Sequence, residues 1–284
     1  MTDHVTLLGT KGGPAIRQGS PMPTASLLRL SGQDIVVDCG LGVTRALTDQ
    51  GMALRDLTAI VITHLHSDHY LELGPLLHTA WTAGLKTPVQ VYGPTGLARY
   101  WQGFLTAMED DIATRVADEG RPDLAAMITL HTLMAGDAVT IGPVTLDTIH
   151  SLHPPLIESL SLRFRAAGNC VVFSGDTAPN PALAGFAQGA DLLIHEAMLE
   201  PALGPLLARI GNGDGRLMQH WLRSHSLASD AAQTATQAGV KALALHHLIP
   251  SDDPDYTAQD WQRATAPHYA GPLHIGRDGL RIDL

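Results

Sequence analysis

The stretch "TAIVITHLHSDHYLELG", residues 58–74, runs from an apolar, mostly β-branched segment, Ala59 to Thr63, into three histidines and an aspartate within six positions: His64, His66, Asp68 and His69. The apolar run suits a buried strand. A lone histidine is ordinarily a surface or satisfied core residue, but four metal-capable groups at H-x-H-x-D-H spacing are poorly explained that way. Buried without a partner, they would repel one another or sit unsatisfied. Neutral imidazole with carboxylate is a common zinc ligand set. A turn after a strand aims alternate side chains at neighbouring points, so the stretch reads as a metal-binding loop. Zinc takes about four ligands per ion, so other parts of the chain must contribute.

The same pattern recurs along the chain. "IVVDCG" (35–40), "IVITH" (60–64), "VVFSGD" (171–176), "LLIHE" (192–196) and "ALALHH" (242–247) are apolar runs that end in polar groups. Continuous apolar runs of this length suit strands covered on both faces. Reactive groups at the ends of several strands place one site along a sheet edge. The supplementary ligands expected from these ends are His153, Asp176 and His247. His150 rivals His153, and His246 rivals His247.

Helical patterns lie between the strands. Leu97, Trp101, Phe104, Leu105, Met108 and Ile112 follow helical spacing. They belong to an acidic helical insert at about 95–135, whose stripe requires cover from the body or from a second subunit, so a homodimer is expected. Ser229 to Ala238 reads as a helix stopped by Gly239. Residues 201–223 read as two short helices broken at "GNGDG" (211–215), and the apolar residues of 198–222 are a candidate roof over the site. No linker divides the chain, so 1–284 reads as one α/β domain.

Composition sets bounds. The 284 residues carry a formal charge of 18 − 28 = −10, with 15 histidines and two cysteines. The charge argues against a general nucleic-acid surface, and two cysteines make no disulfide framework. The opening "MTDHVTLLGTKGG" lacks the form of a signal peptide, and no apolar stretch reaches the roughly 20 residues of a membrane span. The expectation is a cytoplasmic protein with no membrane partner, or a periplasmic one if an export segment has been removed.

"THLHSDH", "SGDT", "DLLIHEA" and "LHHLIP", with "LLGTKGGP" and "VVDCG" before them, resemble the metallo-β-lactamase superfamily. Within it they are most similar to the ribonuclease Z-like branch of zinc phosphodiesterases and arylsulfatase-like hydrolases. The resemblance spans Leu7 to about Arg281 and implies a four-layer αββα sandwich. It implies two Zn²⁺ per chain, with Mn²⁺ or Fe²⁺ as substitutes. His64, His66 and His153 would hold one ion, Asp68, His69 and His247 the other, and Asp176 would bridge them. Oxygen-reducing members of the superfamily carry glutamate where this chain has His66, which favours zinc and hydrolysis over redox chemistry. Neither Cys39 nor Cys170 sits at a ligand motif, and both read as core.

The implied reaction is attack by a metal-bridging hydroxide on an ester. The catalytic residues it assigns are Asp68, which also orients the hydroxide, and His225 with Glu196, which protonate the leaving group. Asp38 is a candidate to orient a ligand histidine, and His195 reads as core. Ribonuclease Z proper clamps tRNA with a long arm between the third histidine and the bridging aspartate. Here that interval is 176 − 153 = 23 residues and is filled by strand, turn and strand. With the acidic charge, this gives the expectation of a small substrate with an apolar or aromatic part, no nucleic acid and no tRNA processing. A phosphodiester or sulfate ester ranks first; a lactone, carboxylic ester or β-lactam is the alternative. A metal-stabilised binding protein without turnover is the contrasting class.

Overall fold

The computed structural model describes residues 2–284. In chain order the first half forms β1 (His4–Gly9), β2 (Ala25–Leu30), β3 (Gln33–Cys39), α1 (Val43–Asp49), β4 (Ala59–Val61), α2 (Ser67–Tyr70), α3 (Leu73–Thr82), β5 (Val89–Gly93), α4 (Leu97–Ala107), α5 (Glu109–Glu119) and β6 (Ile128–Thr132). The second half forms β7 (Ala138–Ile141), β8 (Val144–His150), β9 (Leu160–Ala166), β10 (Asn169–Phe173), α6 (Pro181–Phe186), β11 (Leu192–Met198), α7 (Glu200–Ile210), α8 (Arg216–Ser224), α9 (Ala228–Ala238), β12 (Ala242–Ile249), α10 (Ala258–Thr265), β13 (Leu273–Ile275) and β14 (Leu280–Asp283).

Two seven-stranded mixed sheets result, ordered β14-β1-β2-β3-β4-β5-β6 and β13-β12-β11-β10-β9-β8-β7. Side-chain alternation explains why their strands read as unbroken apolar runs. In the first sheet Leu28, Ile35, Val37 and Val61 face the second sheet. Their neighbours Leu27, Val36 and Ile60 pack outward against Leu73, Leu77 and Trp81 of α3. In the second sheet Val171, Phe173, Leu192 and Ile194 face inward. Val172, Leu193 and Leu243 pack outward on the alanines of α9. The layers are therefore α, β, β and α, as the resemblance implies.

The five apolar runs are β3, β4, β10, β11 and β12. β3 runs parallel to β4, and β10, β11 and β12 run parallel to one another. Their C-terminal ends therefore gather the polar residues that follow them.

The expected insert is only partly helical. α4 and α5 cover 97–119, but Ile128–Thr132 adds the edge strand β6 beside β5. Leu97 and Trp101 of the stripe are buried, with Phe104, Leu105 and Ile112 against the same core. The body thus covers the start of the stripe, while Leu105, Met108 and Ile112 stay only partly buried beside the exposed Val116. α7 and α8 share a small core of Met198, Leu203, Leu206 and Trp221 with Ile249. No helix among the described residues is long and apolar enough to cross a membrane.

Candidate metal centre

His64 follows β4, and the short α2 carries Asp68 and His69. His153 follows β8, Asp176 follows β10, and His247 lies in β12. Donor atoms of His64, His66, His153 and Asp176 all lie within 4.8 Å of one another, as do those of Asp68, His69 and His247. Asp176 Oδ2 stands 3.3 Å from His69 Nε2, 3.2 Å from His247 Nε2 and 3.6 Å from His64 Nε2, so it sits between the two groups.

Three observations fit this donor set to divalent metal ions. First, His64 Nε2, His69 Nε2 and Asp176 Oδ1 are buried without a hydrogen-bond partner, a costly state unless an ion fills it. Second, three of the far ring nitrogens are fixed, as metal-facing imidazoles require. His69 Nδ1 donates to Asp38 Oδ2 at 2.8 Å and His153 Nδ1 donates to the Ser224 carbonyl at 2.7 Å. His64 Nδ1 lies 3.0 Å from Thr63 Oγ1, itself held by Asp38. Third, burial pushes His64 and His66 down and His153 to about 4, which keeps them neutral and able to ligate. His69 is buried too, but Asp176, Asp38 and Asp68 raise it well above the usual value. That excess of negative charge is what a cation would neutralise.

The two rival histidines lie elsewhere. His150 ends β8 exposed. His246 turns away and hydrogen-bonds through Nε2 to the Gly9 carbonyl at 2.9 Å. The register of β11 against β12 breaks between Glu196 and Ala197, which leaves His247 as the extra, bulged residue. Its positive φ of 45° turns its side chain towards Asp68. Cys39 is buried in the outer core and Cys170 is half-buried; both are free. His195 is buried with Nδ1 on the Glu196 carbonyl, as a core residue would be.

Beside the donors, His225 Nδ1 lies 3.0 Å from each Glu196 carboxylate oxygen. The Thr177 N–H also donates to Glu196 Oε1 at 2.6 Å. Burial alone would lower His225; Glu196 overrides it and raises the imidazole to about 9. Burial also pushes the Glu196 carboxyl up, against the pull of His225. The two donors that converge on that carboxylate favour an ion pair with the proton on the imidazole. His225 also falls in a donor group with Asp176 and His247.

Over the centre opens a cleft of about 360 Å³, lined by Leu206, Ile210, Leu217 and Trp221 of the roof and by Lys11, Gly12 and Gly13 after β1. The glycine loop and His220 were not among the site residues read from the sequence. Gly13 N–H donates to Asp68 Oδ2 at 2.8 Å, and a Cβ on Gly12 would stand 2.9 Å from two ring atoms of His247. Adjacent glycines in "GTKGGP" were the available signal. His220, whose ring lies 5.6 Å from that of His225, offered none.

An αββα sandwich with a histidine–aspartate centre at the ends of its paired sheets defines a metallo-β-lactamase-fold hydrolase, dependent on metal and acting on ester bonds. The chain belongs to the ribonuclease Z-like family of such hydrolases and, through residues 4–209, to the family described as Anti-Pycsar protein Apyc1. It is 31% identical over 290 residues to the ribonuclease Z of Mycobacterium bovis (strain BCG / Pasteur 1173P2), covering 99% of this chain and 98% of the relative. Among solved structures it superposes on the metallo-β-lactamase fold protein YhfI from Bacillus subtilis with a TM-score of 0.75 at 20% identity, with 100% of each chain covered. The short form of human tRNase Z gives 0.69 at 21%, covering 99% of this chain and 98% of that one.

These relatives overturn one expectation. A small substrate and no nucleic acid were expected, yet full-length relatives are ribonucleases by name. A missing arm does not exclude RNA. An alignment of 290 positions that covers 98% of the mycobacterial protein leaves no space in it for a long arm absent here. Nor does the net charge exclude it, because the sum over a whole surface says little about one cleft.

Proposed function

We propose that this chain is a two-metal phosphodiesterase whose substrate is an RNA. His64, His66 and His153 would hold one ion, Asp68, His69 and His247 the other, with Asp176 between them. Zinc suits this imidazole-rich set, and Mn²⁺ or Fe²⁺ are substitutes. When bound, the metals would supply a hydroxide near neutral pH and offset the negative charge of the phosphoryl group. Asp68, held by the Gly13 N–H, would orient the nucleophile through its carboxylate. His225 would pass its proton to the departing ester oxygen, and Glu196 would hold the imidazole charged and in place. The apolar roof would exclude water and seat a nucleobase or sugar beside the scissile bond.

The observation that carries this reading is the convergence of seven donors, four of which carry a buried, unpartnered atom. Protein purified without chelator should hold about two metal equivalents. It should cleave a precursor tRNA transcript, and Asp176→Ala should lose both metal and cleavage. Full activity with one metal would sink the pair. Turnover of a neutral nitrophenyl ester without any cleavage of RNA would sink the substrate assignment.

A further inference from the structure

Lys11 is the cation that the metal centre does not account for. It is only 6% exposed. Its backbone is clamped between the two sheets: Lys11 N–H donates to the Met22 carbonyl at 3.0 Å, and the next N–H, on Gly12, donates to the Leu248 carbonyl at 3.1 Å. The side chain lines the cleft beside the donor cluster. Its ammonium donates to the Gly12 carbonyl at 3.0 Å and forms no ion pair among the described residues. The carboxylates on either side have other partners. Asp252 pairs with Arg17 at 2.7 Å, and Asp68 takes the Gly13 N–H and His247. An ammonium has three donors. Burying one with a single carbonyl partner is costly unless an anion completes it.

We infer that Lys11 is a substrate-positioning residue that grips a phosphate oxygen of the substrate from the glycine-loop side of the cleft. The inference rests on the phosphodiesterase reading for its substrate, but phosphate recognition itself is testable without turnover. The physical reason is placement: a rigid backbone carries a buried, incompletely bonded cation to the wall that faces the metal donors. Burial and, less strongly, Arg17 lower the Lys11 pKa, and Asp252 and Asp68 oppose that shift.

The test uses metal-loaded protein and inorganic phosphate as the probe. Calorimetry on wild type, Lys11→Met and Lys11→Arg should show phosphate affinity falling roughly ten- to a hundred-fold in the methionine variant, the scale of a lost charged hydrogen bond. The arginine variant should recover part of it. For a phosphodiester, KM should rise by a similar factor with kcat little changed; a neutral nitrophenyl ester should show no change in either. Wild-type phosphate affinity in both variants overturns the inference. So does an equal loss on the neutral ester, or loss of metal, which would mark a structural role. Should Lys11→Met fail to fold, Lys11→Gln takes its place, and wild-type phosphodiester KM and phosphate affinity in that uncharged variant overturn the inference. If wild type cleaves no phosphodiester, the phosphodiesterase reading falls while the phosphate titration still judges Lys11.

Discussion

At the scale of single residues, the division between holding metal and moving protons rests on His225. Its Nδ1 is committed to Glu196 at 3.0 Å, which leaves Nε2 as its free donor. His225→Ala should keep both metals and the fold. Turnover should fall by roughly 10²–10⁴ for substrates with a poor leaving group, and less for nitrophenolate, which departs without a proton. Equal losses on both would make His225 a positioning residue, and loss of a metal would make it a ligand. Glu196 gives the pH test. It raises His225 to about 9, so the acid form persists below that pH and is lost as pH rises through it. Glu196→Gln removes the raising charge, so the basic limb of kcat should move to lower pH. An unmoved limb would sink the pairing. The sequence made the donors at the strand ends conspicuous because such residue types are unusual there, whereas His225, which follows α8, was paired with Glu196 only through the family resemblance. It left His246 and His247 as rivals, because only the register break with β11 decides which of two adjacent histidines faces the site.

At the scale of elements, the five apolar runs were legible because both faces of each strand are covered. The strand β6 was hidden: "ITLHT" is a short edge strand with one buried residue, and helical periodicity just before it dominated the reading. The glycine loop after β1 was visible only as part of a resemblance, since its purpose is a close approach that no spacing encodes. That approach yields a prediction. A Cβ at Gly12 would lie 2.5 Å from Ile249 Cγ1 and 2.9 Å from His247 Cε1 and Nδ1. The backbone there is pinned to Leu248, so the imidazole must give way. Gly12→Ala should weaken metal binding at the Asp68–His69–His247 group by about ten- to a hundred-fold, the range for displaced ligand support. Circular dichroism should be unchanged. Titration with a zinc-buffered series would read this as one weakened step of two. Two wild-type affinities would show that the loop moves and the ligand does not.

At the scale of the whole molecule, a charge of −10 has to be reconciled with the proposed RNA substrate. The formal count treats Asp68 and Asp176 as free anions, although both face imidazoles in the donor cluster. Two divalent ions would add four positive charges at that one place and reverse the sign of the cleft while the outer surface stays acidic. The acidic face of α5, which buries no residue, would repel a polyanion rather than hold it. RNA should therefore be gripped locally, near the scissile phosphate, and not along a broad basic track. Counterion release makes this measurable, because the slope of log affinity against log salt is roughly −0.7 per neutralised phosphate for a single strand. With about one to two phosphates engaged by Lys11 and the metals, the slope should lie at roughly −0.7 to −1.4. Fluorescence anisotropy of a labelled RNA on a non-cleaving, metal-retaining variant would measure it across a salt series. Lys11→Met should flatten the slope by somewhat less than one unit. A slope several units steeper would mean an extended basic surface carries the RNA, and the cleft would then be only its point of cleavage.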